Sequence, residues 1–199
     1  MKKHWLVAVL LSAVLCAGLA AEEDGATGRR PDIGFVPTPQ AAVERMVELA
    51  DIKPGDKVYD LGCGDGRIVI AAARRHGVRA TGIEIDPGCV RASRENARTA
   101  GVEKLVEIRQ EDIFKSDFSD ADVVFLYLLP ALNERLMPQL SKLKRGARII
   151  AFDFAMGDAK PVLVERGKFD GFASHTIYKW IVPWEQGSGG TWDIFTTTP

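Results

Sequence analysis

The chain has 199 residues, 46% of them hydrophobic and 27% charged, with 26 Lys and Arg against 27 Asp and Glu for a formal net charge of −1. That length suits one domain and leaves no room for a second core of useful size, and the composition is that of a soluble globular protein. The near-neutral, slightly acidic balance excludes a strongly basic surface as the organising feature, so no nucleic-acid partner is expected.

Lys2-Lys3 precede an apolar run from Trp5 to Leu15, and Gly18 and Ala20 supply small residues before Ala21. This is the pattern of a secretory signal peptide over residues 1–20, and it makes export to the periplasm or another extracytoplasmic space the expected localisation. The stretch from Trp5 to Ala21 is 17 residues long, at the short edge of the roughly 17–25 that span a bilayer. An uncleaved anchor, with membrane association through residues 5–21, is the alternative. Cys16 follows Leu15, where a lipoprotein site uses a small residue. Removal of residues 1–20 leaves 24 basic against 27 acidic residues, a formal charge of −3. Residues 21–34 are charged and glycine-rich with no apolar period, a flexible leader, and the domain proper is expected over 35–199.

Structure is expected to begin at Phe35-Val36-Pro37-Thr38-Pro39, with Thr38 as N-cap and Pro39 as first helical residue. Val43, Met46, Val47 and Ala50 then recur on one helical face. After the turn Lys53-Pro54-Gly55-Asp56 comes a strand over 57–61 that breaks into Gly62-Cys63-Gly64-Asp65-Gly66 and then a helix over 66–76. A strand that turns sharply into a helix while a ligand lies against its backbone has no room for Cβ atoms, which is the use of Gly62, Gly64 and Gly66. The dinucleotide fingerprint places its third glycine three residues after the second, where pyrophosphate meets the helix N-terminus. Here Arg67 holds that position and the spacing is G-x-G-x-G, so the loop reads as a nucleotide-type cofactor pocket that departs from the dinucleotide fingerprint.

A second strand over 79–85 ends in Glu84-Ile85-Asp86-Pro87. Glu84 lies 22 residues after Gly62, the distance at which an acid accepts hydrogen bonds from ribose hydroxyls, and Ile85 would flank a base. Helix 88–100, strand 105–110, strand 121–127, helix 130–142 and strand 147–153 follow. Strands alternating with helices imply a parallel, doubly wound α/β sheet. The tail is β-rich instead: Thr176–Val182 and Trp192–Thr196, joined through Gln186-Gly187-Ser188-Gly189-Gly190, are expected to form a closing antiparallel hairpin. Cys63 and Cys89 have neither metal-ligand spacing nor a local histidine, so no metal is expected. His175, outside these motifs, reads as structural.

The G-x-G-x-G loop, with Asp60 two residues before it, resembles motif I of the class I S-adenosylmethionine (SAM) methyltransferases. The resemblance implies a Rossmann-like, mostly parallel seven-stranded sheet with a C-terminal antiparallel hairpin, and SAM as cofactor. It implies that the loop cups the methionine part and that Asp60 serves its ammonium end. The segment Ile108-Arg109-Gln110-Glu111-Asp112-Ile113-Phe114 resembles the family's adenine-binding segment, which assigns Asp112, with Ile113 beside it, to the adenine amino group.

Residues after the fourth strand should face the transferred methyl. They are Leu126-Tyr127-Leu128-Leu129-Pro130, not the Asp/Asn-Pro-Pro-aromatic motif of class I enzymes that act on adenine amino groups or glutamine amides, which leaves small molecules or aliphatic amines. These residues, with Phe35–Pro39 and Asp153-Phe154-Ala155-Met156-Gly157-Asp158, resemble small prokaryotic relatives of mitochondrial membrane-anchored protein-lysine methyltransferases. That likeness implies a protein-lysine acceptor, with Phe35, Thr38, Leu128 and Pro130 on the substrate side. Apolar walls would favour the neutral amine by desolvation. Tyr127 either orients the amine or is a packed strand-end aromatic; Asp153 either accepts an amine proton or caps its strand. A small-molecule methyltransferase is one alternative. The other is a non-catalytic module binding SAM or another nucleoside, because an export signal removes the domain from the compartment where SAM is made. The sequence leaves the oligomeric state open.

Overall fold

The computed structural model describes residues 34–187, so the signal or anchor segment, most of the leader and the expected strand 192–196 lie outside the described residues. In chain order the elements are α1 (Gln40–Leu49), β1 (Lys57–Leu61), α2 (Arg67–His76), β2 (Arg79–Glu84), α3 (Pro87–Thr99), β3 (Val106–Gln110), β4 (Val123–Leu126), α4 (Pro130–Leu140), β5 (Arg148–Phe152), β6 (Ala159–Lys160), β7 (Leu163–Gly167), β8 (His175–Ile181) and β9 (Glu185–Gln186). Strands β1 to β5 are parallel neighbours in the order β3-β2-β1-β4-β5. This is the doubly wound α/β arrangement that alternating strands and helices imply.

The central strands are buried beyond their first residue, and apolar there except for Asp60 of β1, because both faces of the sheet are covered. On one face Val58, Ala80, Val123, Phe125, Ile150 and Phe152 pack with the apolar sides of α1, α2 and α3. On the other Tyr59, Leu61, Ile83, Val124, Leu126 and Ile149 pack with Leu136 and Leu140 of α4. Side chains alternate between the two cores along each strand, as the two-residue period of a strand requires. Full burial of a side chain such as Phe125 or Ile150 contributes about 1.5–3 kcal/mol.

Three local readings are corrected. Helix α1 begins at Gln40; Pro39 occupies the capping position with φ −55° and ψ 140°, and no side chain caps the helix. A residue before proline is driven to extended backbone, which carries Thr38 off the helix end and into the interior, where it is buried. Among the described residues the antiparallel hairpin is β7–β8; the strand expected over 192–196 as the partner of 176–182 lies outside them. Strand β8 lies between β5 and β7 and is antiparallel to both, so its two edges are occupied. Strand β7 escapes a sequence reading because Leu163-Val164-Glu165-Arg166-Gly167 has no apolar alternation. It is an edge strand, where charge is common, and the Glu165 carboxylate accepts two hydrogen bonds from the Arg45 guanidinium of α1, both 2.7 Å. Gln186, expected in the connecting loop, instead pairs with Ala159 in a two-stranded ribbon.

Candidate active site

The site lies beyond the carboxyl ends of β1, β2, β3 and β4, where open parallel sheets leave a crevice. It is a cavity of about 300 Å³ walled by the glycine loop, the ends of β2 and β4, the segment after β3, the start of α4, and residues 34–38.

The glycine loop is fixed from three sides. The Gly62 and Cys63 amides donate to the Ile83 carbonyl at 2.8 and 3.1 Å, and Asn96 of α3 donates to the Asp65 carbonyl at 2.9 Å. Gly62 has φ 81°, and a Cβ there would lie 2.9 Å from Leu128 Cδ2. At Gly64, with φ 54°, a Cβ would fall 2.2 Å from the Phe35 ring. Left-handed backbone and close approach together demand glycine at both positions. Gly66, with φ 79°, precedes the first residue of α2.

Glu84, at the end of β2, is the loop's third support. One carboxylate oxygen accepts the Gly64 amide at 2.9 Å, and the other accepts the Ile85 and Asp86 amides at 2.8 and 2.9 Å. Asp86 in turn caps α3 by accepting the Cys89 amide at 2.9 Å. Asp112, buried after β3, accepts the Phe114 amide at 3.0 Å, an Asx-type turn. Beneath the loop, Gly82 leaves room for Cys63, whose Sγ would stand 2.6 Å from a Cβ at that position. Burial pushes the Cys63 thiol well up, and Cys89 is pushed up to about 11 by burial and the nearby Glu84 and Asp86 carboxylates. Both shifts favour the thiol over the nucleophilic thiolate.

The cavity is acidic. Asp60, Asp65, Glu84, Asp86 and Asp112 line it, and among the described residues Arg67 is the one cationic lining residue. The Arg67 guanidinium is already forked onto Asp65, at 2.9 and 2.6 Å, and its third bond, 2.7 Å, reaches the Thr38 carbonyl. That bond straps residues 34–38 over the glycine loop. Asp60 is 2% exposed, and burial, then the Glu84 and Asp65 carboxylates, push its carboxyl up to about 8. Among the described residues no donor hydrogen-bonds it. A buried carboxyl with no partner, in a cavity of excess negative charge, fits a ligand that carries positive charge. The apolar walls Ile85, Ile113, Phe114 and Leu132 fit a flat ring beside it. These residues fit SAM, with its ammonium, sulfonium and adenine.

Of the expected cofactor residues, Asp60, Gly62, Glu84, Ile85, Asp112 and Ile113 line the cavity, while Gly64 and Gly66 shape the loop from behind. On the substrate side Phe35, Thr38, Tyr127 and Leu128 line it. Pro130 does not; it is the first residue of α4, used for its fixed φ. Leu129 is exposed. The Tyr127 ring meets Phe152 edge-on at 5.0 Å and lies parallel to Phe154 at 6.3 Å, and burial with the nearby Asp153 carboxylate pushes its hydroxyl up. Asp153 is outside the lining. It ends β5 with φ 61° and accepts the Thr176 amide at 3.0 Å and a His175 nitrogen at 2.8 Å. Both of its oxygens are thus engaged at the strand end, outside the cavity lining. Among the lining residues that sequence reasoning did not assign to the site are Asp65, Arg67, Asp86, Cys89, Phe114 and Leu132. Arg67 alone carried a signal, as the cation directly after an acidic glycine loop. Phe114 is held by tertiary contacts, with Arg135 3.7 Å over its ring and Gln139 donating to its carbonyl at 2.9 Å.

Comparison with known proteins agrees with this geometry. Residues 60–163 match the family model of the ANTKMT methyltransferase domain. A protein-lysine N-methyltransferase of Saccharolobus islandicus (strain REY15A) is 40% identical over 154 residues, covering 76% of this chain and 95% of that protein. The adenine nucleotide translocase lysine N-methyltransferase of Mus musculus is 34% identical over 137 residues, and the match spans 68% of this chain but only 59% of the mouse protein. Among solved structures, an RNA methyltransferase from Salinibacter ruber in complex with S-adenosyl-L-homocysteine is 49% identical, with a TM-score of 0.69 over 77% of this chain and 97% of that one. The mostly parallel sheet, the acidic glycine-loop cavity and these relatives converge: the chain belongs to the ANTKMT methyltransferase domain family and is a SAM-dependent methyltransferase.

Proposed function

We propose that the chain is a protein-lysine N-methyltransferase. The observation that carries this reading is the composition of the cavity's substrate end, where Phe35, Tyr127 and Leu128 form an apolar wall and Asp153 stands just behind Tyr127. An aliphatic amine needs such a place: an aromatic face receives the cationic stem, and apolar walls disfavour the ammonium and so release the lone pair. The Saccharolobus and mouse relatives are named for lysine methylation, which supports the same reading.

SAM, when bound, supplies a methyl group on a sulfonium sulfur; the amine nitrogen bonds to that carbon, the carbon–sulfur bond breaks with its electron pair going to sulfur, and the amine proton leaves to solvent. Positioning then supplies most of the rate. In this chain Asp60 would hold the ammonium end, Glu84 the ribose while bracing the loop, and Asp112 the adenine amino group, with Ile85 and Ile113 supplying apolar contact to the ring. Gly62, Gly64 and Gly66 let the backbone approach. Phe35, Thr38 and Leu128 exclude water from the acceptor side, and Tyr127 orients the amine.

One observation favours a second reading, an RNA acceptor: the Salinibacter relative is named an RNA methyltransferase. Against it stand the net charge of −1 and the apolar, exposed Phe35 and Val36 on the segment that walls the cavity, where a nucleic-acid site carries Lys and Arg. Transfer of radiolabelled methyl from SAM to poly-L-lysine and to total RNA separates the two. Label in poly-L-lysine alone supports the proposal, and label in RNA alone overturns it. We further propose that residues 1–20 are an export signal cleaved before Ala21. N-terminal sequencing of the chain recovered from a bacterial periplasm should begin at Ala21, and an intact N-terminus on membrane-bound chain would instead make residues 5–21 an anchor.

A further inference from the structure

One side-chain cluster beside the cavity has no part in cofactor binding. His175 opens β8 next to the carboxyl end of β5, and both nitrogens of its ring face carboxylates: Nδ1 is 2.8 Å from Asp153 and Nε2 is 3.2 Å from Asp170. A neutral imidazole has one N–H and donates to one acceptor, whereas the imidazolium donates to both. The two carboxylates belong to different pieces of chain. Asp153 ends β5 and accepts the Thr176 amide at 3.0 Å with its other oxygen. Asp170 lies in the connection between β7 and β8, and its other oxygen accepts the Phe172 and Ala173 amides at 2.8 and 2.9 Å. A doubly protonated His175 therefore ties that connection to the end of β5.

The tie reaches the cavity wall through aromatic contacts. The His175 ring stacks on Phe152 at 4.9 Å, Phe169 meets the same ring at 6.2 Å, and Tyr127 packs against it edge-on at 5.0 Å. Phe152 is fully buried and is the ring that His175, Phe169 and Tyr127 share.

We propose that His175 is a positioning residue for the methyl acceptor: its imidazolium clasps residues 168–174 to β5 and, through Phe152, sets Tyr127 in the cavity wall, and the clasp opens when the ring loses a proton. The proposal rests on Tyr127 being the acceptor side of the site. The charged groups facing the ring are Asp153 from β5 and Asp170 from the connection. Opposite it on β7 is Gly167, which has no side chain, and Phe152 adds no charge. The two carboxylates hold the His175 proton more firmly than in a free histidine, with burial opposing them. An amine acceptor reacts faster as pH rises while the clasp closes as pH falls, so the acceptor KM should rise on the alkaline side.

The test is a pH titration of the full chain by NMR, following the ring signals of its three histidines, the amides of Phe172 and Ala173, and the Tyr127 ring. His175→Gln identifies the His175 signal, and Asp170→Asn opens the clasp at an exposed loop where the fold is not at stake. We expect His175 to titrate above about 6.5, the free histidine value. The Phe172, Ala173 and Tyr127 signals should follow the same curve in the wild type and lose it in Asp170→Asn. A His175 that titrates at or below the free value, or loop and Tyr127 signals that ignore its titration, overturns the proposal. In parallel, methyl transfer to poly-L-lysine should show a several-fold higher acceptor KM and a flattened alkaline limb in His175→Gln, with SAM affinity unchanged. A His175→Gln variant that weakens SAM binding and acceptor KM alike also overturns it. If poly-L-lysine takes no methyl from the wild type while the NMR signals move together, the clasp stands and the lysine reading falls.

Discussion

Asp60 is held in the cavity wall as a carboxyl that burial and two neighbouring carboxylates push up to about 8. An unfolded Asp titrates near 3.9, so between that value and about 8 the folded chain holds a proton that the unfolded chain has lost. Stability then falls as pH rises through this window. Asp60→Asn should leave thermal stability near pH 4 unchanged and raise Tm at pH 8, by about 2–4 °C per kcal/mol for a domain of this size, while weakening SAM binding. A melting series across pH checks the first half and calorimetry the second. Glu84 is tied to the backbone instead, its carboxylate accepting three backbone amides. Glu84→Gln turns one acceptor oxygen into a donor facing an amide, and an unsatisfied buried group costs about 1–3 kcal/mol. Chemical denaturation should show that loss together with weaker SAM binding. Both acids were legible in the sequence because each sits at a fixed offset from a glycine turn or a strand end. The partnership of Asp153 with His175 was not, because the antiparallel pairing of β5 with β8 brings together residues far apart in the chain and no local pattern marks it.

At the scale of elements, the glycine loop and the strap over 34–38 depend on each other. Gly64 carries φ 54°, and a Cβ there would strike the Phe35 ring. Gly64→Ala therefore incurs backbone strain of about 1–3 kcal/mol together with a clash. Phe35→Ala in the same chain should relieve the clash and leave the strain. A double-mutant cycle on Tm should thus show partial recovery, and full additivity would mean that Phe35 does not lie on the loop. The first nine elements after the leader, α1 to β5, were legible to within a few residues, because periodic apolar faces and glycine or proline stops delimit them. Strand β7 was not, since a charged edge strand has no alternation to read, and Thr38 was misread as a cap because the backbone before a proline overrides its side-chain preference.

Across the whole molecule the sheet is completed by the tail. Strand β8 covers the edge of β5 and contributes the fully buried Ile177 and Trp180, one to each core, while β7 is pinned to α1 through Arg45 and Glu165. A chain ending at residue 160 would bare the β5 edge and open both cores, so it should be recovered as aggregate, whereas a chain over 34–187 should melt cooperatively; solubility and a circular-dichroism melt distinguish the outcomes. Fold class was legible at this scale because the alternation of strands and helices admits few topologies. The assembly of the acceptor side was not, because it draws on the ends of β4, β5 and β8 at once.

The most direct test of the cofactor site is calorimetric titration of the full chain with SAM beside the Asp60→Asn variant at pH 7. Saturable 1:1 binding, weakened in the variant by about 1.4 kcal/mol or more, a factor of ten in Kd, is the predicted result. Equal binding by both chains, or none by the folded wild type, would contradict the assignment of the acidic glycine-loop cavity to the cofactor.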